Sequence, residues 1–160
     1  MSNSSILPII MSIFLSVTTI AHGEKYQITT PIQISAFDTD EAGCVFLDND
    51  GIMWIGSCSG LLSYDGYSFR TYKSDAYSPG ILPNNYIMSL TEDHDNNIWI
   101  GTRDGLAIMN KRKGTFKTLH LPKNTQRIIY TLFTSSNGTV WIGTDGGLTR
   151  YDQTDGKFHD

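Results

Sequence analysis

Downstream of residue 35 the apolar residues fall in short runs rich in Ile, Val, Trp, Tyr, Phe and Thr, each bounded by Gly, Asp or Asn. None of the runs carries a convincing helical period, so the pattern predicts strands joined by tight turns. Residues 86–121 show this most clearly. "YIMSLTED", "NIWIGT", "GLAIMN" and "TFKTLHL" read as successive strands, with turns at "HDN", "RD" and "KRKG", and together they make a four-stranded antiparallel meander. Within it "WIG" is apolar on consecutive positions, as in a strand covered on both faces.

The same frame occurs three times. Aligned on Trp54, Trp99 and Trp141, each copy continues Ile-Gly-Ser/Thr, two variable residues, then Gly-Leu, which fixes Gly56 and Gly60, Gly101 and Gly105, and Gly143 and Gly147 as repeat glycines. Three and four positions before the tryptophans stand Asp50-Gly51, Asp95-Asn96 and Asn137-Gly138, dipeptides that favour the positive φ angles of hairpin turns. Farther on, each copy reaches a glycine and then Phe69, Phe116 or Phe158. A lone meander has two apolar faces and cannot bury both, so each copy must lie against another. Four strands per period of 42–45 residues predict an all-β protein, a β-propeller with three four-stranded antiparallel blades. The tryptophans are assigned to packing between blades, since a large aromatic at a fixed repeat position fills core. Closed propellers have about 4–8 blades, so three blades imply an incomplete ring with exposed, aggregation-prone faces at its two ends.

Domain limits follow from this frame. Residues 36–78, 79–122 and 123–160 are the three blades, the third truncated, and 24–35 ("YQITTPIQIS" and its flanks) is a lone amino-terminal strand of the kind that closes a ring. Residues 1–23 differ in kind: "ILPIIMSIFLSVTTI" is apolar and uncharged and ends in small residues at "AHG", as in a secretory signal peptide cut near Gly23. The amino-terminal "MSNSS" lacks the usual Lys or Arg, so a retained membrane anchor is the alternative.

Composition narrows the function classes. A net charge of −4, with no Lys/Arg run beyond the three residues of the "KRKG" turn, lacks the electrostatic footprint of a nucleic-acid binder. Cys44 falls opposite Gly56 across the first hairpin, with Cys58 diagonal to it, beyond the reach of a disulfide; two thiols are expected. "DHDNN" sets Asp93, Asp95 and Asn97 at calcium-loop spacing with Asp104 at the twelfth place, but Ile98 stands where that loop needs Gly, and the third copy's "SSNGT" has no carboxylate there. No metal and no cofactor is expected. The sequon at Asn137 coincides with a hairpin turn. No nucleophile–base–orienter set is visible.

"ILPNNYIMSLTEDHDNNIWIGTRDGLAIMN" resembles the two-component regulator propeller repeat, which runs from Leu-Pro-x-Asn through Asp-x-x-Gly-x-Leu-Trp-Ile-Gly-Thr to Gly-Leu. The resemblance covers residues 36–160, with Ser57 in place of Thr, Asn96 in place of the turn Gly and Ser135 in place of the usual Asp. It implies a seven-bladed ring, and a place at the amino-terminal, periplasmic end of a hybrid two-component sensor of the Bacteroides type. Such a parent would be anchored in the inner membrane by a downstream span and would carry a histidine kinase, with homodimer formation open to it. This segment would itself be non-enzymatic, sensing a glycan-derived oligosaccharide and packing against the parent's remaining blades, with no contact to nucleic acid and no membrane tether of its own. The first blades of a secreted propeller enzyme, a lyase or a quinone-dependent dehydrogenase, are the alternative; a protein-interaction scaffold is another.

The variable positions within the frame are released from packing and are the candidates for binding. They cluster in the turns Cys58-Ser59, Arg103-Asp104 and Asp145-Gly146 and in the inter-blade connections "KSDAYSPGILPNNY" and "PKNTQRIIY", which open onto the same face of a propeller. Sugars call for planar hydrogen-bonding groups and an aromatic or two. Arg103, Asp104, Asp145, Asn84, Asn85, Tyr77, Tyr86 and Arg127 supply these.

Overall fold

A computed structural model describes residues 41–75, 77, 80–122 and 127–159. The proposed signal peptide and lone strand lie outside the described residues. Twelve strands and no helix occur among those described. They form three separate four-stranded antiparallel sheets in simple meander order. The first holds β1 (Ala42–Leu47), β2 (Met53–Ser57), β3 (Leu61–Tyr64) and β4 (Phe69–Tyr72); the second, β5 (Ile87–Glu92), β6 (Asn97–Thr102), β7 (Gly105–Asn110) and β8 (Thr115–Leu119); the third, β9 (Ile129–Thr134), β10 (Val140–Thr144), β11 (Gly147–Asp152) and β12 (Lys157–His159).

The turn residues act as their chemistry requires. Gly51, Asn96 and Gly138 hold φ of 80°, 60° and 85°, each closing a three-residue hairpin loop in which its own N–H donates to the carbonyl of Asp48, Asp93 or Ser135. Asn96 is the one non-glycine in the left-handed region among the described residues, a conformation that Asn tolerates better than most residues.

The sheets stack in series, and the repeat residues form the joints. Trp54 of the first sheet is buried with Leu82 of the connection and Ile87, Leu90, Ile98, Ile100 and Met109 of the second sheet, and its ring lies 6.0 Å from Tyr72, which in turn meets Phe116 at 5.5 Å. Trp99 repeats the arrangement against Ile129, Leu132, Val140 and Ile142 of the third sheet, with Tyr151 at 5.1 Å and Phe158 beyond it. The glycine two residues after each tryptophan permits this approach. A Cβ on Gly56 would stand 2.6 Å from Ile87 Cγ2, and one on Gly101 would stand 2.6 Å from Ile129 Cγ2, so the next sheet's inner strand leaves room only for hydrogen. Trp141 presents the same face of the third sheet and is only half-buried, with Phe133 and Leu148 exposed.

Polar contacts add specificity to the joints. Asp48 Oδ2 accepts the indole N–H of Trp54 at 2.8 Å and Asp93 Oδ2 that of Trp99 at 2.8 Å. Asp93, considered above as a calcium ligand, accepts main-chain N–H bonds from Asp95 and Asn97 as well. It ties the turn to the core. Ser135 holds the equivalent place in the third sheet and turns its hydroxyl to Thr139 O instead. Between sheets one and two, Lys111 Nζ sits among Asp48 Oδ2 (2.9 Å), Asp50 Oδ2 (2.7 Å) and Glu92 Oε1. Between the inner strands of sheets two and three, neutral bonds form: Leu132 N–H to Ser89 Oγ at 2.9 Å, and the Thr91 and Thr134 hydroxyls at 3.0 Å.

Candidate functional site

Each inner strand carries the same irregularity. Pairing skips one residue between Ala42 and Cys44, between Ile87 and Ser89, and between Ile129 and Thr131, leaving Gly43, Met88 and Tyr130 as bulge residues. A bulge re-aims its side chain and twists the strand locally. In the second and third sheets the bulged side chains, Met88 and Tyr130, both open into a recess of about 220 Å³ completed by Tyr86, Arg103 and Ile128.

The recess straddles the second and third sheets at the strand ends that carry the β6–β7 turn and the inter-sheet connections. The Arg103 N–H donates to Tyr86 O at 3.0 Å, which locks the turn to the entry of β5. The Arg103 guanidinium then lies over the Tyr86 ring, 5.4 Å from its centroid, within cation–π range. At the rim Arg127 Nη1 approaches Asp104 Oδ1 at 3.4 Å, both groups well exposed. Tyr86 and Tyr130 are 39% and 52% exposed, enough for a flat ligand to reach their rings.

Four of the residues chosen from sequence, Tyr86, Arg103, Asp104 and Arg127, are therefore neighbours. The others are placed differently. Asn85 is occupied with the main chain of Ser74, accepting from its N–H at 2.8 Å and donating to its carbonyl at 2.9 Å; it shapes the connection. Asn84 Oδ1 accepts the N–H of Tyr86 at 2.7 Å, which holds that tyrosine at the mouth of the recess. Tyr77 and Asp145 are exposed and line neither of the two cavities. Ile128 and Tyr130 fall in the variable connection "PKNTQRIIY" but are not singled out by residue type, and the register slip that makes Met88 and Tyr130 bulge residues leaves no mark on the alternation of residues.

A second cavity of about 280 Å³ lies at the opposite strand ends, beside Asn49, Glu92, Asp93, His94 and Ser135. Its carboxylates already have partners. Glu92 binds Lys111 and the Asn49 N–H, and Asp93 binds its own turn and Trp99. In the same region burial pushes the Asp48 carboxyl up, but the Trp54 indole, Lys111 and the Ile52 N–H outweigh it and hold the group below the ordinary Asp value. Desolvation works against the Lys111 ammonium, yet Asp50, Glu92 and Asp48 raise it well above the usual Lys value. Asp48, Asp50 and Glu92 are close enough together to hold a cation, and Lys111 supplies that charge from the chain itself. Cys44 and Cys58 form no disulfide; Cys44 pairs in register with Gly56, and burial raises its thiol to about 11.

Residues 81–104 and 124–146 match a family model described as two component regulator propeller. No curated protein matches the chain. Among solved structures, the extracellular domain of a putative hybrid two component system from B. thetaiotaomicron is similar over 75% of this chain and 17% of its own, at 21% identity and a TM-score of 0.63. A catalytically inactive virginiamycin B lyase from Staphylococcus aureus with quinupristin is similar over 75% and 40%, at 22% identity and 0.59. PorZ, a surface component of the type-IX secretion system of Porphyromonas gingivalis, is similar over 75% and 21%, at 15% identity and 0.54. This chain thus spans well under half the length of each. At these identities the likeness is one of fold, so the sheets are β-propeller blades, and within them residues 81–104 and 124–146 are similar to the two-component regulator propeller repeat.

Proposed function

We propose that this segment is the extracytoplasmic ligand-sensing part of a hybrid two-component sensor kinase and response regulator. Its ligand is an oligosaccharide derived from a glycan, and the parent controls transcription of polysaccharide-utilisation genes. The segment performs no catalysis; the kinase activity belongs to the longer protein, anchored in the inner membrane. One observation carries the reading: all five residues that line the recess between the second and third blades fall inside the two matched repeats. The chemistry agrees. Two tyrosine faces suit the apolar face of a pyranose ring, and a guanidinium fork beside them suits its oxygens.

The placement also supplies a way to signal. A ligand touching Tyr86 and Arg103 on one blade and Tyr130 on the next clamps a joint otherwise held by packing, hydrogen bonds between inner strands and one exposed ion pair, and so it stabilises one arrangement of the two blades. Calorimetry of the intact extracytoplasmic part against a glycan panel tests the proposal. Saturable heat from an oligosaccharide, lost in Tyr130→Ala, is the expected result. No heat from any oligosaccharide overturns it.

A further inference from the structure

The charge at the recess narrows the ligand class. Of the two arginines at its mouth, Arg127 has a carboxylate neighbour in Asp104, whereas Arg103 has no ion pair among the described residues. Its guanidinium carbon lies over Tyr86 at 5.4 Å from the ring centroid, and its main-chain N–H is fixed by Tyr86 O. A cation–π contact at that distance takes up none of the guanidinium N–H donors, and these form a two-pronged donor matched in spacing to a carboxylate or sulfate. The corresponding turns of the other two blades carry Cys58-Ser59 and Asp145-Gly146, so this donor belongs to one joint alone. The side chain is exposed at the mouth of the recess, where an anionic substituent keeps part of its hydration while the sugar ring covers the exposed Tyr130.

Resting on the sensing role proposed above, we infer that the recess selects acidic oligosaccharides, uronates or sulfated sugars, with the Arg103 guanidinium as the group that reads the anion. Arg103 is the specificity-determining residue of the site, and Arg127, partly neutralised by Asp104, adds only long-range attraction. Asp104 is the carboxylate at this rim, paired with Arg127, and an anionic ligand orients its charge away from it toward Arg103.

The test uses the intact extracytoplasmic part of the protein, titrated with oligogalacturonate, hyaluronan and chondroitin sulfate fragments and with neutral galactan and xylan fragments of matched length. The expected result is tighter binding of at least one acidic fragment than of any neutral one. That binding weakens as NaCl is raised from about 0.05 to about 0.5 M. Arg103→Gln weakens it by about tenfold to a hundredfold, as for the loss of a charge-assisted pair, and Arg103→Lys restores only part of it because the planar fork is gone. Neutral fragments binding as tightly as acidic ones, or an Arg103→Gln variant with unchanged affinity for the acidic fragment, overturns the inference and leaves the sensing role standing. Failure of every fragment overturns both.

Discussion

Replacing Asp93 by Ala tests how the turn, the tryptophan and the blade joint depend on one another. Trp99 is 1% exposed, and its indole N–H has Asp93 Oδ2 as acceptor at 2.8 Å. Removing the carboxylate leaves that donor buried and unpaired, which costs about 1–3 kcal/mol. The N–H groups of Asp95 and Asn97 also lose their acceptor, but they lie in a surface turn where water replaces it, at about 0.5–1 kcal/mol each. Together these give about 2–5 kcal/mol, a large fraction of a domain's stability. The third blade provides the control. There Ser135 stands in place of Asp, and the half-buried Trp141 takes nothing from it, so Ser135→Ala is expected to cost under about 1 kcal/mol, the scale of one solvent-replaceable hydrogen bond. Equilibrium urea unfolding followed by tryptophan fluorescence reads both, with the loss appearing in the midpoint and not in the slope. An Asp93→Ala variant within about 0.5 kcal/mol of the parent protein, the range of an ordinary surface change, or a Ser135→Ala variant equally damaged, refutes the reasoning.

Other consequences follow from the same joints. Gly101→Ala drives a Cβ to 2.6 Å from Ile129 and is expected to destabilise by about 1–3 kcal/mol, with Ile129→Ala in the same chain recovering part of the loss in a double-mutant cycle. Lys111→Met strands the buried Asp48 and Glu92 carboxylates and is expected to cost about 3–5 kcal/mol at neutral pH, as when one partner of a buried pair is removed; thermal unfolding measures it. The folded-state value of Asp48 is depressed, so its contribution is complete above the unfolded value of about 3.9 and disappears as pH falls through the folded one. That of Lys111, raised in the fold, is complete below about 10.4 and is lost in more alkaline solution. Unfolding scans are therefore expected to show a plateau from this cluster across neutral pH, and the Lys111→Met variant to gain stability on mild acidification where the parent protein does not. Arg103→Gln, at an exposed side chain, leaves the unfolding midpoint within about 0.5 kcal/mol of the parent.

Much of the architecture is legible in the sequence because it is local. The strands "NIWIGT" and "GLAIMN" coincide with β6 and β7 residue for residue, since glycine and asparagine turns bound them on both sides. The hairpin glycines Gly51 and Gly138 and the unusual Asn96 declare themselves by residue type. The joint tryptophans are legible from their spacing alone. What stays hidden depends on contacts between blades. Lys111 meets Asp48 across 63 positions in the chain, and no local pattern announces that pair. The bulges at Met88 and Tyr130 arise from a one-residue slip in pairing, invisible to an alternation count, and so the inner wall of the recess went unread while its outer lip, Tyr86 with Arg103, Asp104 and Arg127, was named. Asn85 shows the converse error: an amide in a variable connection looks available, yet the turn it closes onto Ser74 takes up both of its ends.

Backbone hydrogen exchange of the intact extracytoplasmic part, with and without a saturating oligosaccharide, reports most directly on whether the joint between the second and third blades is the sensing site. Slowed exchange confined to the segments around 86–88, 102–104 and 128–130 is the expected footprint. Protection that leaves these three segments unchanged and appears elsewhere contradicts the assignment.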